Sequence, residues 1–142
     1  MHTEGLLAPA TADEARDRFE AVAPTAQTTV REVAKAMDFD KAEYDDRVTG
    51  AVVETAREAI FASLLEVHVG TREEFEAWRG DRPDLDVEMI GSENVDNVVW
   101  HAVPFAETVV AATFQDRDAA AVGTLRRQAF GSVYREIVTD TP

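Results

Sequence analysis

Three β-rich segments followed directly by a long amphipathic helix constrain the fold of this chain more than any other feature. The segments are Val87–Ile90, Val98–Val103 and Thr108–Phe114, and the helix runs over Asp116–Val138. β-branched and aromatic side chains dominate the segments, as they do on a half-buried pleated surface. Turn residues follow the first segment, and Pro104 interrupts pairing after the second. This pattern predicts a small sheet covered by a terminal helix.

Capping patterns divide the chain before the sheet into helices. Thr11-Ala-Asp-Glu14, Asp40-Lys-Ala-Glu43 and Thr71-Arg-Glu-Glu74 each place a side-chain acceptor three residues before a glutamate, which is typical of a helix N-terminus. Between these starts, apolar residues recur at helical spacing in two stripes. The stripes are Ala26, Val30, Val33 and Met37, then Val53, Ala56, Ile60 and Leu64. We expect both stripes to face inward.

A further strand is predicted at Val67–Val69, directly before Gly70. A helix joins it to the strand that begins at Val87, and such a connection allows the two strands to form one parallel pair. The order of elements predicts an α+β fold. In this fold, N-terminal helices pack with a small, mostly antiparallel sheet of three to four strands and with a long C-terminal helix.

We interpret residues 1–142 as one domain. Residues 1–10 form a loosely ordered lead-in, 11–66 the helical part, and 67–138 the sheet with the terminal helix. A chain of 142 residues that is 45% hydrophobic is long enough to bury a core on its own. It has no cysteine, which excludes disulfides, thiolate metal sites and thiol nucleophiles.

The charge balance indicates the solvent for which this surface is suited. Acidic residues outnumber basic residues by 28 to 14, which gives a net charge of −14, and only Lys35 and Lys41 are lysines. Such a surface is typical of proteins from salt-loving archaea, because the Debye length falls to about 3 Å at ~1 M salt and carboxylates no longer repel one another strongly. The alternative is an ordinary acidic protein.

The charge also argues against a nucleic-acid partner, since no basic stripe is present to neutralise phosphates.

The chain carries no sequence signal for a membrane or for export. No apolar run approaches the roughly 20 residues that span a bilayer. The first residues, Met1-His-Thr-Glu-Gly5, lack the basic and then apolar segments of a signal peptide. We therefore expect a cytoplasmic protein without a membrane partner.

His101 is the first candidate for a functional side chain. It alternates with its neighbours so that Val99, His101 and Val103 share one face of the strand. A histidine in this position acts as a general base or metal ligand on a rigid scaffold, or it packs as a half-exposed side chain, which is the commoner case.

Glu93 and Asn97 are further candidates because loops on rigid scaffolds often carry function. Ordinary turns use the same residue types.

His68 is the candidate partner of His101 in a metal site. It lies between Val67 and Val69 on the neighbouring predicted strand. Two histidines and one carboxylate would suit zinc or a similar ion. The chain contains no HExxH or HxH pattern, and the usual markers of nucleotide hydrolases, dinucleotide enzymes and serine hydrolases are also absent. The sequence therefore identifies no cofactor.

Three stretches resemble an uncharacterised protein family of halophilic archaea. They are Gly91-Ser-Glu-Asn-Val-Asp-Asn-Val-Val-Trp-His101, Leu125-Arg-Arg-Gln-Ala-Phe-Gly-Ser-Val-Tyr-Arg135 and Val30-Arg-Glu-Val-Ala-Lys-Ala-Met-Asp-Phe39. The resemblance extends over most of the chain. It implies a saline habitat and a single domain, and it carries no activity, substrate or catalytic residue.

Two functional hypotheses follow. The first is a small binding or assembly module without catalytic activity that forms a homodimer, because the sheet and the last helix have more apolar surface than a small domain needs. The second is a small-ligand-binding protein or enzyme, metal-assisted in one version, with a site around His101, Glu93 and Asn97. Substitution of His101 would abolish a ligand response only in the second case.

Overall fold

The computed structural model describes residues 1–139, so the last three residues of the predicted domain lie outside the described part of the chain. The strands are β1 His2–Glu4, β2 Val67–Thr71, β3 Asp86–Ile90, β4 Asn97–Val103 and β5 Thr108–Phe114. The helices are α1 Ala12–Ala21, α2 Ala23–Ala36, α3 Lys41–Arg47, α4 Gly50–Ser63, α5 Arg72–Gly80, α6 Asp118–Ala129 and α7 Arg135–Thr139. A π-helical segment, Phe130–Tyr134, joins α6 to α7, and a 3₁₀ turn, Pro104–Ala106, joins β4 to β5. The predicted α+β class is confirmed.

The sheet has five strands in the order β1-β2-β4-β5-β3, not the three to four that we predicted. The additional strand is β1, which pairs antiparallel with β2 so that His2 lies opposite Val69 and Glu4 lies opposite Val67. Residues that the sequence analysis assigned to a loose lead-in therefore form one edge of the sheet. They escaped prediction because a three-residue strand with no apolar residue has no periodicity to detect.

One parallel pair is present, but it joins β3 to β5 and not to β2. The other pairs, β1 with β2, β2 with β4, and β4 with β5, are antiparallel. The two most apolar strands, β4 and β5, are joined by a short turn and pair with each other at the centre of the sheet. β2 and β3 then lie on opposite sides of this central pair, which prevents them from meeting.

The sheet separates two apolar clusters. On one face, α1, α4 and α6 cover a large cluster that contains the mutually packed rings of Phe19, Phe61, Phe130 and Tyr134. On the other face, α5 covers a smaller cluster built around Phe75 and Trp100. The predicted alternation along β4 is confirmed, because Val99 and Val103 belong to the first cluster and Val98 and Trp100 to the second.

The three helix starts that the capping patterns predicted are all present. Thr11, Asp40 and Thr71 each accept a hydrogen bond from the backbone N–H three residues later. Only the pair Thr71 and Glu74 forms the complete reciprocal capping box. In the other two helices the leading side chain caps alone, which still satisfies one backbone N–H group at the helix start.

None of the helices described over residues 1–139 combines the length and the apolar character that crossing a bilayer demands.

Candidate functional site

The structure separates the three residues of the predicted ligand site. Asn97 begins β4, and His101 lies four residues further along the same strand, about 13 Å away at the usual rise of ~3.3 Å per residue. The Asn97 side-chain amide donates to the backbone carbonyl of Gln115 at 3.2 Å. Glu93 is exposed in the loop that precedes β4, at the end of the strand away from His101. Only His101 lies in the interior.

His101 is buried, with 1% of its surface exposed, where the sequence analysis favoured a half-exposed side chain. Its Nδ1 atom lies 2.5 Å from the backbone carbonyl oxygen of Glu66. A carbonyl oxygen only accepts, so Nδ1 carries the hydrogen and donates it. In the neutral ring Nε2 is then an acceptor, and it accepts from the Tyr134 hydroxyl at 2.7 Å. Both ring nitrogens are therefore engaged.

Burial controls the charge of this pair. Desolvation lowers the pKa of His101 to about 4; the hydrogen bond to Glu66 opposes this shift, and the charges of His68 and Arg126 add to it. Desolvation also raises the pKa of Tyr134 above its ordinary value. Both side chains are thus neutral at pH 7, which agrees with the direction of their hydrogen bond. A neutral imidazole with both nitrogens occupied has no free lone pair for a metal ion or a substrate.

His68 faces the opposite side of the sheet from His101. It lies opposite Trp100 in the β2–β4 ladder, and the two rings stack with centroids 5.3 Å apart. Its Nε2 atom is 3.8 Å from a carboxylate oxygen of Glu66. Burial lowers the pKa of His68, while Glu66 acts to raise it. In the described residues, the imidazole nitrogen Nδ1 of His68 and the indole nitrogen of Trp100 are buried without a hydrogen-bond partner.

The two histidines nevertheless border one small cavity. The β2–β4 ladder ends at the pair His68–Trp100, and a cavity of about 190 Å³ lies next to this end of the ladder. Its lining includes Glu66, His68, His101 and the N-terminal segment around Pro9. Both ring nitrogens of His101 are occupied by Glu66 and Tyr134, and Nε2 of His68 lies 3.8 Å from the Glu66 carboxylate. This arrangement supplies fewer groups than a protein metal centre requires.

A second and larger feature is a groove between α2, α3 and α4. This α2–α4 groove encloses about 560 Å³ and is lined mainly by apolar side chains: Thr29, Val30, Val33, Ala34, Met37, Phe39, Arg47, Val48, Val52 and Ala56. Half of the six large apolar side chains that are exposed in residues 1–139 lie here, namely Val33, Met37 and Val52. They are 52%, 59% and 43% exposed.

The apolar pattern of the sequence identifies residues of this groove but does not reveal that they are exposed. Val30, Val33 and Met37 belong to the apolar stripe of α2, which we expected to face inward. Only Ala26 and Ala34 of this helix are buried. α2 packs on α4. The signal in the sequence is the small size of the two buried alanines, because small side chains at a contact let helices lie close together.

Comparison with known proteins places the chain in a family without assigning an activity. Residues 6–135 match the family described as a family of unknown function, DUF5809. No curated protein and no solved structure matches the chain. The match includes the α2–α4 groove and the His101–Tyr134 pair, and it confirms that the resemblance was to an uncharacterised family. Since it covers most of the sequence, this chain belongs to the family of unknown function DUF5809.

Proposed function

We propose that the protein is a non-catalytic assembly module that pairs with a second copy of itself through the α2–α4 groove. The observation that carries the proposal is the contiguous apolar surface formed there by Val33, Met37 and Val52. Contiguous apolar patches are uncommon on monomeric soluble proteins and mark interaction sites. We predicted a dimer from the apolar surfaces of the sheet and the last helix, but both are covered by other elements, so the proposed interface lies elsewhere.

The shape of this face favours a second copy as the occupant. Val33 and Met37 are four residues apart on α2, so their side chains lie in one row along the wall of the groove. In a two-fold interface the same patch of each copy faces its equivalent, so these two rows would pack against each other and bury apolar side chains of both copies.

The charge of α2 supports the same occupant. Although the chain has a net charge of −14, residues 23–36 contain two basic residues, Arg31 and Lys35, against one acidic residue, Glu32. Glu32 is paired with Lys35 at 3.3 Å. Two α2 helices would therefore approach each other without the repulsion between carboxylates that most other pairs of surfaces on this protein would experience.

The proposal that the module is not an enzyme is supported by the state of His101. Its two nitrogens are occupied by Glu66 and Tyr134, and Glu93 and Asn97 lie at the other end of β4.

We further propose a cytoplasmic location in a salt-rich cell, which the acidic, lysine-poor composition supports.

The dimer is tested by light scattering coupled to size exclusion in molar KCl. We expect the wild type to show about twice the chain mass of 15.6 kDa. Met37→Glu and Val33→Asp place a charge in the proposed interface and should weaken association at least about tenfold, as the loss of an interface hot spot does. Both side chains are exposed, so the fold of the single chain should persist.

Leu6→Glu is the matched control, because Leu6 is 83% exposed and lies outside the groove. It should leave the dimer intact. A wild type that stays at 15.6 kDa over the whole accessible concentration range would remove the proposal. A dimer that survives both groove substitutions would place the interface elsewhere.

A further inference from the structure

We propose that His2, Glu4 and Asp118 form a binding site for one divalent transition-metal ion of the Zn²⁺ class. Each residue offers one ligand atom, and these atoms all lie within 4.8 Å of one another. Among residues 1–139 this is the group of three or more histidine and carboxylate side chains with the spacing of a metal site. It is separate from the groove and from the His101 pair.

Two independent elements position the three side chains. His2 and Glu4 are two residues apart on β1, so they project from the same face of the strand. They lie opposite Val69 and Val67, which both belong to the apolar cluster under the α1, α4 and α6 layer. The two side chains consequently face this helical layer, and Asp118 meets them from the first turn of α6.

The electrostatics of the group favour a cation. Glu4 is paired only with His2, at 3.1 Å, among the ion pairs of the described residues, and Asp118 has no arginine or lysine partner there. Two carboxylates that approach each other this closely repel unless a positive charge lies between them. A divalent ion would supply this charge.

The donor atoms indicate which class of ion fits. One imidazole nitrogen and two carboxylate oxygens form a mixed set that suits Zn²⁺, Co²⁺ or Mn²⁺ and leaves positions for water. Ca²⁺ and Mg²⁺ prefer oxygen ligands alone. The imidazole therefore distinguishes this group from the many carboxylates elsewhere on the surface, which attract any cation loosely.

A bound ion would connect the edge of the sheet to the helical layer. β1 is three residues long and pairs only with β2. Coordination by His2, Glu4 and Asp118 would fasten this short strand to α6. The family match begins at residue 6, so two of the three ligands lie outside the matched region.

The test is a titration of metal-free, tag-free protein with Zn²⁺, and with Co²⁺ as a spectroscopic probe, in molar KCl. A pH near 8 is suitable because binding requires an unprotonated imidazole. We expect one ion per chain. His2→Gln, Glu4→Gln and Asp118→Asn should each weaken binding at least about tenfold, since even the loss of a group that only orients a ligand costs 10- to 100-fold.

Two control variants separate a built site from diffuse attraction by negative charge. Glu20→Gln removes the same charge from an exposed position on α1, and Thr3→Gln alters β1 on its other face. Both should bind Zn²⁺ like the wild type. As a second measurement, Zn²⁺ should slow amide exchange in β1 of the wild type and not of Glu4→Gln.

Unchanged Zn²⁺ affinity in His2→Gln would overturn the proposal. The same holds for a loss in Glu20→Gln equal to that in Glu4→Gln, or for Ca²⁺ that displaces Co²⁺ at equal concentration. Each of these results would show that the acidic surface binds cations without a specific site.

Discussion

His101 lies between a backbone carbonyl and a phenol hydroxyl, and this position defines its contribution to the protein. Its Nδ1–H satisfies the Glu66 carbonyl beyond the end of the β2–β4 ladder, where strand pairing has stopped. Its Nε2 satisfies the hydroxyl of Tyr134 in the interior. A buried polar group that loses its partner costs about 1–3 kcal/mol, so we interpret the pair as a stabilising link between the sheet and the C-terminal helix.

We expect Tyr134→Phe to lower the free energy of unfolding by about 1–3 kcal/mol, because it removes only the hydroxyl and leaves the Nε2 atom of His101 without a donor. Denaturant unfolding in molar KCl measures the change. Tyr44→Phe is the matched control, since the Tyr44 hydroxyl makes no hydrogen bond to any of residues 1–139. Equal effects of the two substitutions would contradict a special role for the pair.

For single residues, the sequence predicted which face of the strand a side chain lies on better than how deeply the side chain is buried. Alternation along β4 correctly placed Val99, His101 and Val103 on one face. It contained no information on what covers this face. Tyr134 covers the imidazole ring of His101 on this face, and it is 33 residues away in the chain. It belongs to a π-helical segment that no local sequence pattern predicts.

The elements with strong local patterns were predictable, and the order of the strands was not. β4, β5 and the helix start at Thr71 follow from periodicity and capping chemistry. The position of β3 beside β5 depends on which strands compete for the centre of the sheet, and this is decided by contacts that are distant in sequence. The distance between Asn97 and His101 has a related explanation: the two residues are four positions apart on one extended strand, so their side chains do not meet.

The turn after β3 is a sensitive point of the sheet. Gly91 has φ +107°, and a Cβ atom there would overlap the hydroxyl oxygen of Thr113 on β5 and lie 3.2 Å from the Cβ atom of the same residue. We expect Gly91→Ala to destabilise the protein by about 1–3 kcal/mol, because L-residues avoid this backbone conformation and the methyl group collides with the neighbouring strand. Thermal unfolding followed by circular dichroism measures the loss.

Gly50→Ala provides the comparison for this turn. Nothing lies within 4 Å of a Cβ atom at Gly50, which begins α4. We expect this substitution to be neutral or stabilising by up to about 1 kcal/mol, since alanine has less freedom than glycine in the unfolded chain. A similar loss of stability in both variants would show that the close approach at Gly91 is unimportant.

For the whole molecule, the charge of −14 on 142 residues predicts a dependence on salt. Lowering KCl from ~1 M to ~0.1 M lengthens the Debye length from about 3 Å to about 10 Å, so the carboxylates repel one another over longer distances. We expect helical circular dichroism and the melting temperature to fall over this range. An unchanged spectrum down to dilute buffer would contradict the expectation.

A charge-reduced variant identifies the cause of the salt dependence. Asp17→Asn, Glu20→Gln and Glu93→Gln together remove three exposed acidic charges, none of which has an ion-pair partner among residues 1–139. This variant should keep its structure at lower KCl than the wild type. Asp17→Glu with Glu20→Asp and Glu93→Asp retains the charge and should behave like the wild type.

The two lysines have a consequence for amine chemistry. Lys35 follows the groove residue Ala34 on α2, and Lys41 lies two residues after the groove residue Phe39; both are exposed. Apart from the amine of Met1, the chain has no other primary amine. An amine-reactive cross-linker would therefore have its side-chain targets beside the α2–α4 groove alone, and a covalent bond formed between Lys35 residues of two copies would report directly that these faces meet.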